Sequence, residues 1–150
     1  MTNDELQTTD YQKALRLKAS ANAVFDAVTT VASLSAWWTR ATGSGDAGGE
    51  LRFYFDSPVD ACVMQVDEAT RPERVRWTVT ECAFLPDWVG TQPTFTITRD
   101  GSDACELHFR HHGLTSDLEC IDMCTVGWDT YLASLSGYVE TSKGSPFGGA

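Results

Sequence analysis

The sequence predicts an α+β domain in which one face of an antiparallel sheet of about six strands wraps a long C-terminal helix. Three observations carry this. Apolar side chains recur at every second residue through most of the stretch from Glu50 to Phe109. Short turn sequences such as 67–72 and 100–103 separate these runs, so neighbouring strands form antiparallel hairpins. After Gly113 the apolar spacing lengthens to three and four, the period of a helix. Strands segregated from a closing helix define the α+β class, and 150 residues suffice for one core.

The elements follow in order. Residues 1–10 are polar and acidic and residues 143–150 are Gly-rich, so both read as loose tails around a domain covering 11–142. From Tyr11, Leu15 and Leu17 alternate with Arg16 and Lys18, a first strand. Ser20 stands as an N-cap before Ala21, Val24, Phe25 and Val28, which keep helical spacing. A second short helix covers Val31 to Trp38, and the Gly-rich segment Ala41 to Gly49 ends it. The strand block then runs through Leu51/Phe53/Phe55, Cys62/Met64/Val66, Val75/Trp77/Val79, Phe95/Ile97 and Cys105/Leu107/Phe109. Ile121, Cys124, Trp128, Leu132, Leu135 and Val139 form the stripe of the last helix.

Charge narrows the function classes. The 21 acidic and 11 basic side chains give a net charge of −10, a field that repels phosphate and anionic lipid, so nucleic acid is excluded as a partner. The longest charge-free run in the first half, between Asp26 and Arg40, is too short and too rich in Ser and Thr to span a bilayer, so no membrane insertion is expected. Five Cys, an odd number, with no leading secretion segment imply free thiols and a cytoplasmic location. Cys62 and Cys82 fall on neighbouring strands, but their parity sends Cys62 inward and Cys82 outward unless a bulge intervenes, so no disulfide is expected.

The candidate site is an aromatic surplus on the inward face. Phe53, Phe55, Met64, Trp77, Phe95 and Phe109 lie on strands, Trp37 and Trp38 at the second short helix, and Trp128, Tyr131 and Leu132 on the last helix. Packing alone accounts for many such rings, yet their number suits a concave apolar pocket for a small hydrophobic or aromatic molecule. Gly127 beside Trp128 suggests close approach, because a mid-helix Gly costs about 1 kcal/mol relative to Ala. His111 continues the inward parity of Phe109 and is the polar group expected to touch a ligand, while His108 and His112 point outward. That geometry leaves no metal site, and no nucleophile elbow, phosphate loop or zinc helix is present, so neither cofactor nor catalytic residue is assigned. The connection from Cys82 to Gly90 places Phe84, Leu85 and Trp88 in a loop, as a lid that contacts ligand through Trp88 or as a surface for a homodimer or protein partner at 84–88.

Several strings together resemble one family. Phe25-Asp26-Ala27-Val28-Thr29 followed by Trp37-Trp38, then Gly48-Gly49-Glu50, Pro72-Glu73-Arg74-Val75-Arg76-Trp77, His111-His112-Gly113-Leu114, Gly127-Trp128 and Tyr131-Leu132-Ala133-Ser134-Leu135 are similar to successive motifs of the activator of heat-shock-protein ATPase homologue-like family. That family lies within the START-related, helix-grip superfamily. The resemblance covers roughly Tyr11 to Val139 and departs at Val31, where many relatives carry an Asp-Pro turn. It implies a curved antiparallel sheet gripping the C-terminal helix around a cavity. For activity it implies less: relatives bind apolar molecules, cyclise or hydrolyse them, or assist a chaperone. The aromatic inward face with few polar groups favours non-catalytic binding of an apolar molecule, with a cyclase or hydrolase relying on His111 and a Tyr, or a chaperone-related interaction module, as alternatives.

Overall fold

The computed structural model describes residues 11–54, 61–82, 86–114 and 121–144, except for the side chains of 87 and 121–124. Seven strands form one curved sheet: β1 (Tyr11–Leu17), β2 (Ala41–Gly43), β3 (Glu50–Tyr54), β4 (Ala61–Thr70), β5 (Arg74–Cys82), β6 (Gln92–Arg99) and β7 (Cys105–His112). Their order is β1-β7-β6-β5-β4-β3-β2, and each neighbouring pair is antiparallel. Helices α1 (Ala21–Thr29) and α2 (Val31–Trp37) carry the chain from one sheet edge, β1, to the other, β2. The last helix, α3 (Ile121–Thr141), completes the fold. No helix among the described residues is long and apolar enough to cross a membrane.

Local chemistry explains the joints. The Ser20 hydroxyl accepts from the Ala23 N–H at 3.1 Å and caps α1, whose Val24, Phe25 and Val28 are buried. Thr30 is extended and forms the hinge to α2, where it gives no side-chain cap bond. The extra strand is the one the sequence pattern omits. Ala41–Gly43 pairs with β3 because Gly43, at φ +105°, has no side chain: a Cβ there would lie 2.0 Å from the Glu50 carbonyl oxygen. Three residues are too few to display a period.

A second departure concerns Cys82. It is buried, and it faces Cys62 across the β4–β5 ladder. Register shifts lie between Val63 and Met64 and between Val66 and Glu68, so Thr80 and Asp67 each stand without an opposite residue. One such bulge reverses the parity of everything beyond it, which turns Cys82 inward beside Cys62. Neither Cys62 nor Cys82 is in a disulfide. Their mutual hydrogen bond and then burial push the Cys62 thiol far above its ordinary range.

Helix α3 buries Trp128, Leu132 and Leu135 against the sheet. Polar ties fix it on both sides. The Tyr11 hydroxyl donates to Asp129 Oδ1 at 2.5 Å, and Lys13 Nζ lies 3.3 Å from the same oxygen. Burial, then the Asp129 contact, pushes the Tyr11 phenol upward, while the bond from Tyr11 and the neighbouring Lys13 hold the Asp129 carboxyl low. Toward α2, the Ser134 hydroxyl donates to the Trp37 carbonyl at 2.7 Å, and the hydroxyls of Tyr138 and Ser33 lie 3.0 Å apart. Among the described residues, nothing lies within 4 Å of a Cβ built at Gly127, so close approach finds no support there.

Candidate functional site

Parity and helical spacing bring the predicted residues together. Phe53, Met64, Trp77, Phe95 and Phe109 point from the sheet into the core; Trp128 and Leu132 meet them from α3, and Trp37 and Trp38 arrive from the end of α2. Tyr131 is half-buried against the same core, and burial pushes its phenol pKa up. Phe55, Phe84 and Leu85 lie outside the described residues. Trp88 was expected in an exposed loop and is instead 6% exposed: a 3-10 turn at Pro86–Trp88 folds it inward, its ring parallel to that of Trp128 with centroids 5.9 Å apart.

The rings fill the space they line. Trp38 sits at the centre, 4.3 Å from Phe53, 5.1 Å from Trp128, 6.1 Å from Trp77 and 6.4 Å from Tyr131 by ring centroids. Phe109 and Trp128 are 4.3 Å apart, and Phe95 lies 5.1 Å from Trp77 and 4.9 Å from Phe109. A side chain bordering a void large enough for water keeps accessible surface toward it. Phe53, Trp77, Phe95 and Phe109 keep none, and Trp38 and Trp128 keep 2%. Among the described residues, these rings therefore pack side chain on side chain and leave no water-sized space against Phe53, Trp77, Phe95 or Phe109. Two surface clefts, one of about 810 Å³ bordered by Glu68, Arg74 and Arg99 and one of about 380 Å³ beside Phe25 and Arg71, are lined by none of the predicted residues.

His111 points inward as expected, at 0% exposure, and both ring nitrogens are engaged. The Trp128 indole can only donate, so its 2.9 Å contact makes His111 Nδ1 an acceptor and puts the ring proton on Nε2. Nε2 then donates to Thr91 Oγ1 at 2.7 Å, and the Thr91 hydroxyl donates in turn to the Trp88 carbonyl at 2.6 Å. The chain of donors closes on a neutral imidazole and holds Trp88, Trp128 and β7 together. Among the described residues, the His111 ring nitrogens meet Thr91 and Trp128 and not the tyrosine that the acid–base reading called for. Thr91 is a site residue that the sequence reading missed: it shares parity with Pro93, Phe95 and Ile97 at the start of β6, but Gly90-Thr91-Gln92-Pro93 reads as a turn.

The buried hydroxyls of Thr29, Thr39, Thr94 and Ser134 donate to backbone carbonyls, and the Trp37 indole donates to the Ala27 carbonyl at 2.8 Å. One inward polar atom differs: Trp77 Nε1 is buried and meets no acceptor among the described residues. Charge stays outside, in surface pairs such as Arg71–Asp26 and Arg16–Asp100. Among the described residues no group of three His, Cys, Asp or Glu side chains is placed to hold a metal ion.

Comparison with known proteins supplies the context. Residues 18–140 match the family described as Activator of Hsp90 ATPase homolog 1-like protein. Among curated proteins none matches. Of solved structures, the Aha1 dimer from Colwellia psychrerythraea is similar at a TM-score of 0.76 and 23% identity, covering 91% of this chain and 99% of that one. CalU16 from Micromonospora echinospora is similar at 0.69 and 17%, covering 85% and 72%. An HSP90 activator from Plasmodium falciparum is similar at 0.68 and 13%, covering 85% and 93%. These likenesses establish the shared fold.

Proposed function

The chain belongs to the Activator of Hsp90 ATPase homolog 1-like protein family, and on that premise we propose that it binds a small apolar, aromatic molecule between its sheet and its C-terminal helix. The observation that carries the reading is the origin of the central ring. The space between sheet and helix is occupied by Trp38, which belongs to neither: it follows α2, a helix of seven residues without a side-chain N-cap bond. A ligand of ring size takes the place of Trp38 and keeps the remaining walls, Phe53, Met64, Trp77, Phe95 and Phe109 from the sheet and Trp128, Tyr131 and Leu132 from α3. The closed form is then the resting state, and binding selects an open one whose cost lowers the apparent affinity. Half-buried Tyr131, in contact with Trp38, marks the way in. His111 serves this site by fixing Trp128 and Trp88. The buried Cys62, Cys82 and Cys105, none of them in a disulfide, suit residence in the reducing cytoplasm.

The test is a melting-temperature survey and native mass spectrometry of the wild type across aromatic ketones, phenols and fatty acids, with Trp38→Ala as the opened control. The expected result is stabilisation by flat apolar molecules, stronger in Trp38→Ala. No binder for either protein sinks the reading.

A second reading, a homodimer or a protein partner, draws on the family and on the dimeric Colwellia relative. Trp88 is not offered to such a partner, since it is buried; Val89 and Val126, 50% and 64% exposed, are the large apolar groups that remain at the described surface. Sedimentation velocity of wild type and Val126→Asp decides it: a dimer that the substitution disrupts supports the reading, and a monomer at all concentrations rejects self-association.

A further inference from the structure

Resting on the ligand reading above, we propose that the bound molecule is an uncharged aromatic carbonyl compound and that Trp77 Nε1 donates to its carbonyl oxygen. Trp77 is fully buried, yet its N–H has no acceptor among the described residues. The chain satisfies comparable groups elsewhere: the Trp37 indole meets the Ala27 carbonyl and the Trp128 indole meets His111 Nδ1. A buried donor left without a partner is costly, and such exceptions call for a ligand or ion that completes them. The other unpartnered buried atom, Arg76 Nε, belongs to a side chain that reaches solvent beside Asp67, so it has no bearing on the interior.

Position ties this donor to the ligand space. The Trp77 and Trp38 rings are parallel to within 9° with centroids 6.1 Å apart, so a molecule that takes the place of Trp38 is a neighbour of Trp77, and because the indole N–H lies in its ring plane, the carbonyl must reach past the ring edge to accept from it. The polarity of the interior sets the chemistry. No charged side chain is buried among the described residues, so an ionised carboxylate or amine would enter without a counter-charge, which is prohibitive. One unused neutral donor suits one neutral acceptor on a flat apolar frame, as in an aromatic ketone.

A matched probe pair tests this: 9-fluorenone and fluorene have the same fused-ring frame and differ by the carbonyl oxygen. Both are titrated into wild type and Trp77→Phe, and the fluorenone-to-fluorene affinity ratio is compared between the two proteins, so that the probes' different solubilities cancel. The expected ratio is about tenfold lower in Trp77→Phe, as one hydrogen bond requires, whatever the smaller ring costs both probes alike. An unchanged ratio overturns the assignment of Trp77 while leaving the ligand site standing. Failure of both probes to bind wild type and Trp38→Ala overturns the site itself, and the assignment with it. A melting curve of Trp77→Phe establishes that the variant is folded before the ratio is read.

Discussion

In one region of the aromatic interior, Trp128, His111, Thr91 and the Trp88 carbonyl form an unbroken run of hydrogen bonds. In the adjoining region, Trp38 lies parallel to a Trp77 whose N–H meets no acceptor among the described residues. Both regions are built of the same residue type, equally sealed from water. The difference teaches that burial alone does not separate a structural tryptophan from a binding one. What separates them is whether the polar edge of the ring already has a partner, and which element holds the ring in place: α3 for Trp128, the end of a seven-residue helix for Trp38.

Four predictions break or sharpen that contrast. The largest effects come from deleting a ring. Trp128→Ala and Trp38→Ala should each cost about 3–5 kcal/mol in denaturant unfolding, the range for large aromatic truncation. Saturating 9-fluorenone should recover part of the loss for Trp38→Ala by mass action. It should not do so for Trp128→Ala, which also leaves His111 Nδ1 unpaired; equal recovery in both would erase the distinction.

Next come two chemically identical substitutions. Trp37→Phe removes the donor to the Ala27 carbonyl along with some volume and should cost about 2–3 kcal/mol. Trp77→Phe removes similar volume but also an unpaired buried donor, so its net change should stay within about 1 kcal/mol. Similar losses at both positions would mean that the Trp77 N–H has a partner in solution.

Thr91→Val sharpens the other side. It leaves His111 Nε2 without its acceptor and should cost about 1–3 kcal/mol, with the indole N–H signal of Trp128 displaced in the NMR spectrum. An unperturbed signal would uncouple Thr91 from the run.

The smallest effect lies outside both regions, where Tyr11 and Lys13 hold Asp129. The folded carboxyl is held low, so its stabilising contribution is present above the ordinary aspartate pKa and is lost as pH falls through the lower folded value. Wild type should therefore lose stability below about pH 4 by more than Asp129→Asn does. The difference should be under about 1 kcal/mol, because the side chain is well exposed. Parallel pH curves would dismiss the contact.

Much of this was legible in the sequence. Alternation placed Phe53, Trp77, Phe95, Phe109 and His111 inward, and helical spacing did the same for Trp128 and Leu132, because side-chain direction follows directly from period. Parity failed where one residue is inserted. The bulge opposite Val63 and Met64 turned Cys82 inward, and no residue type announces a bulge. The turn-like run Gly90-Thr91-Gln92-Pro93 concealed Thr91, and a loop reading of 82–90 concealed the burial of Trp88. The state of the interior was the least legible. A pattern of inward rings is the same whether the rings border a space or fill it, and only the position of Trp38 between sheet and helix distinguishes the two.

The claim that this interior opens at Trp38 to admit an aromatic carbonyl compound is tested most directly by the indole N–H signals of ¹⁵N-labelled wild type as 9-fluorenone is added. The expected result is a saturable shift of the Trp38 and Trp77 signals, that of Trp77 moving downfield as its proton gains an acceptor, while Trp37 stays fixed on the Ala27 carbonyl. Signals that all remain in place up to the solubility limit of the probe, or a shift confined to Trp88 and Trp128, would contradict it.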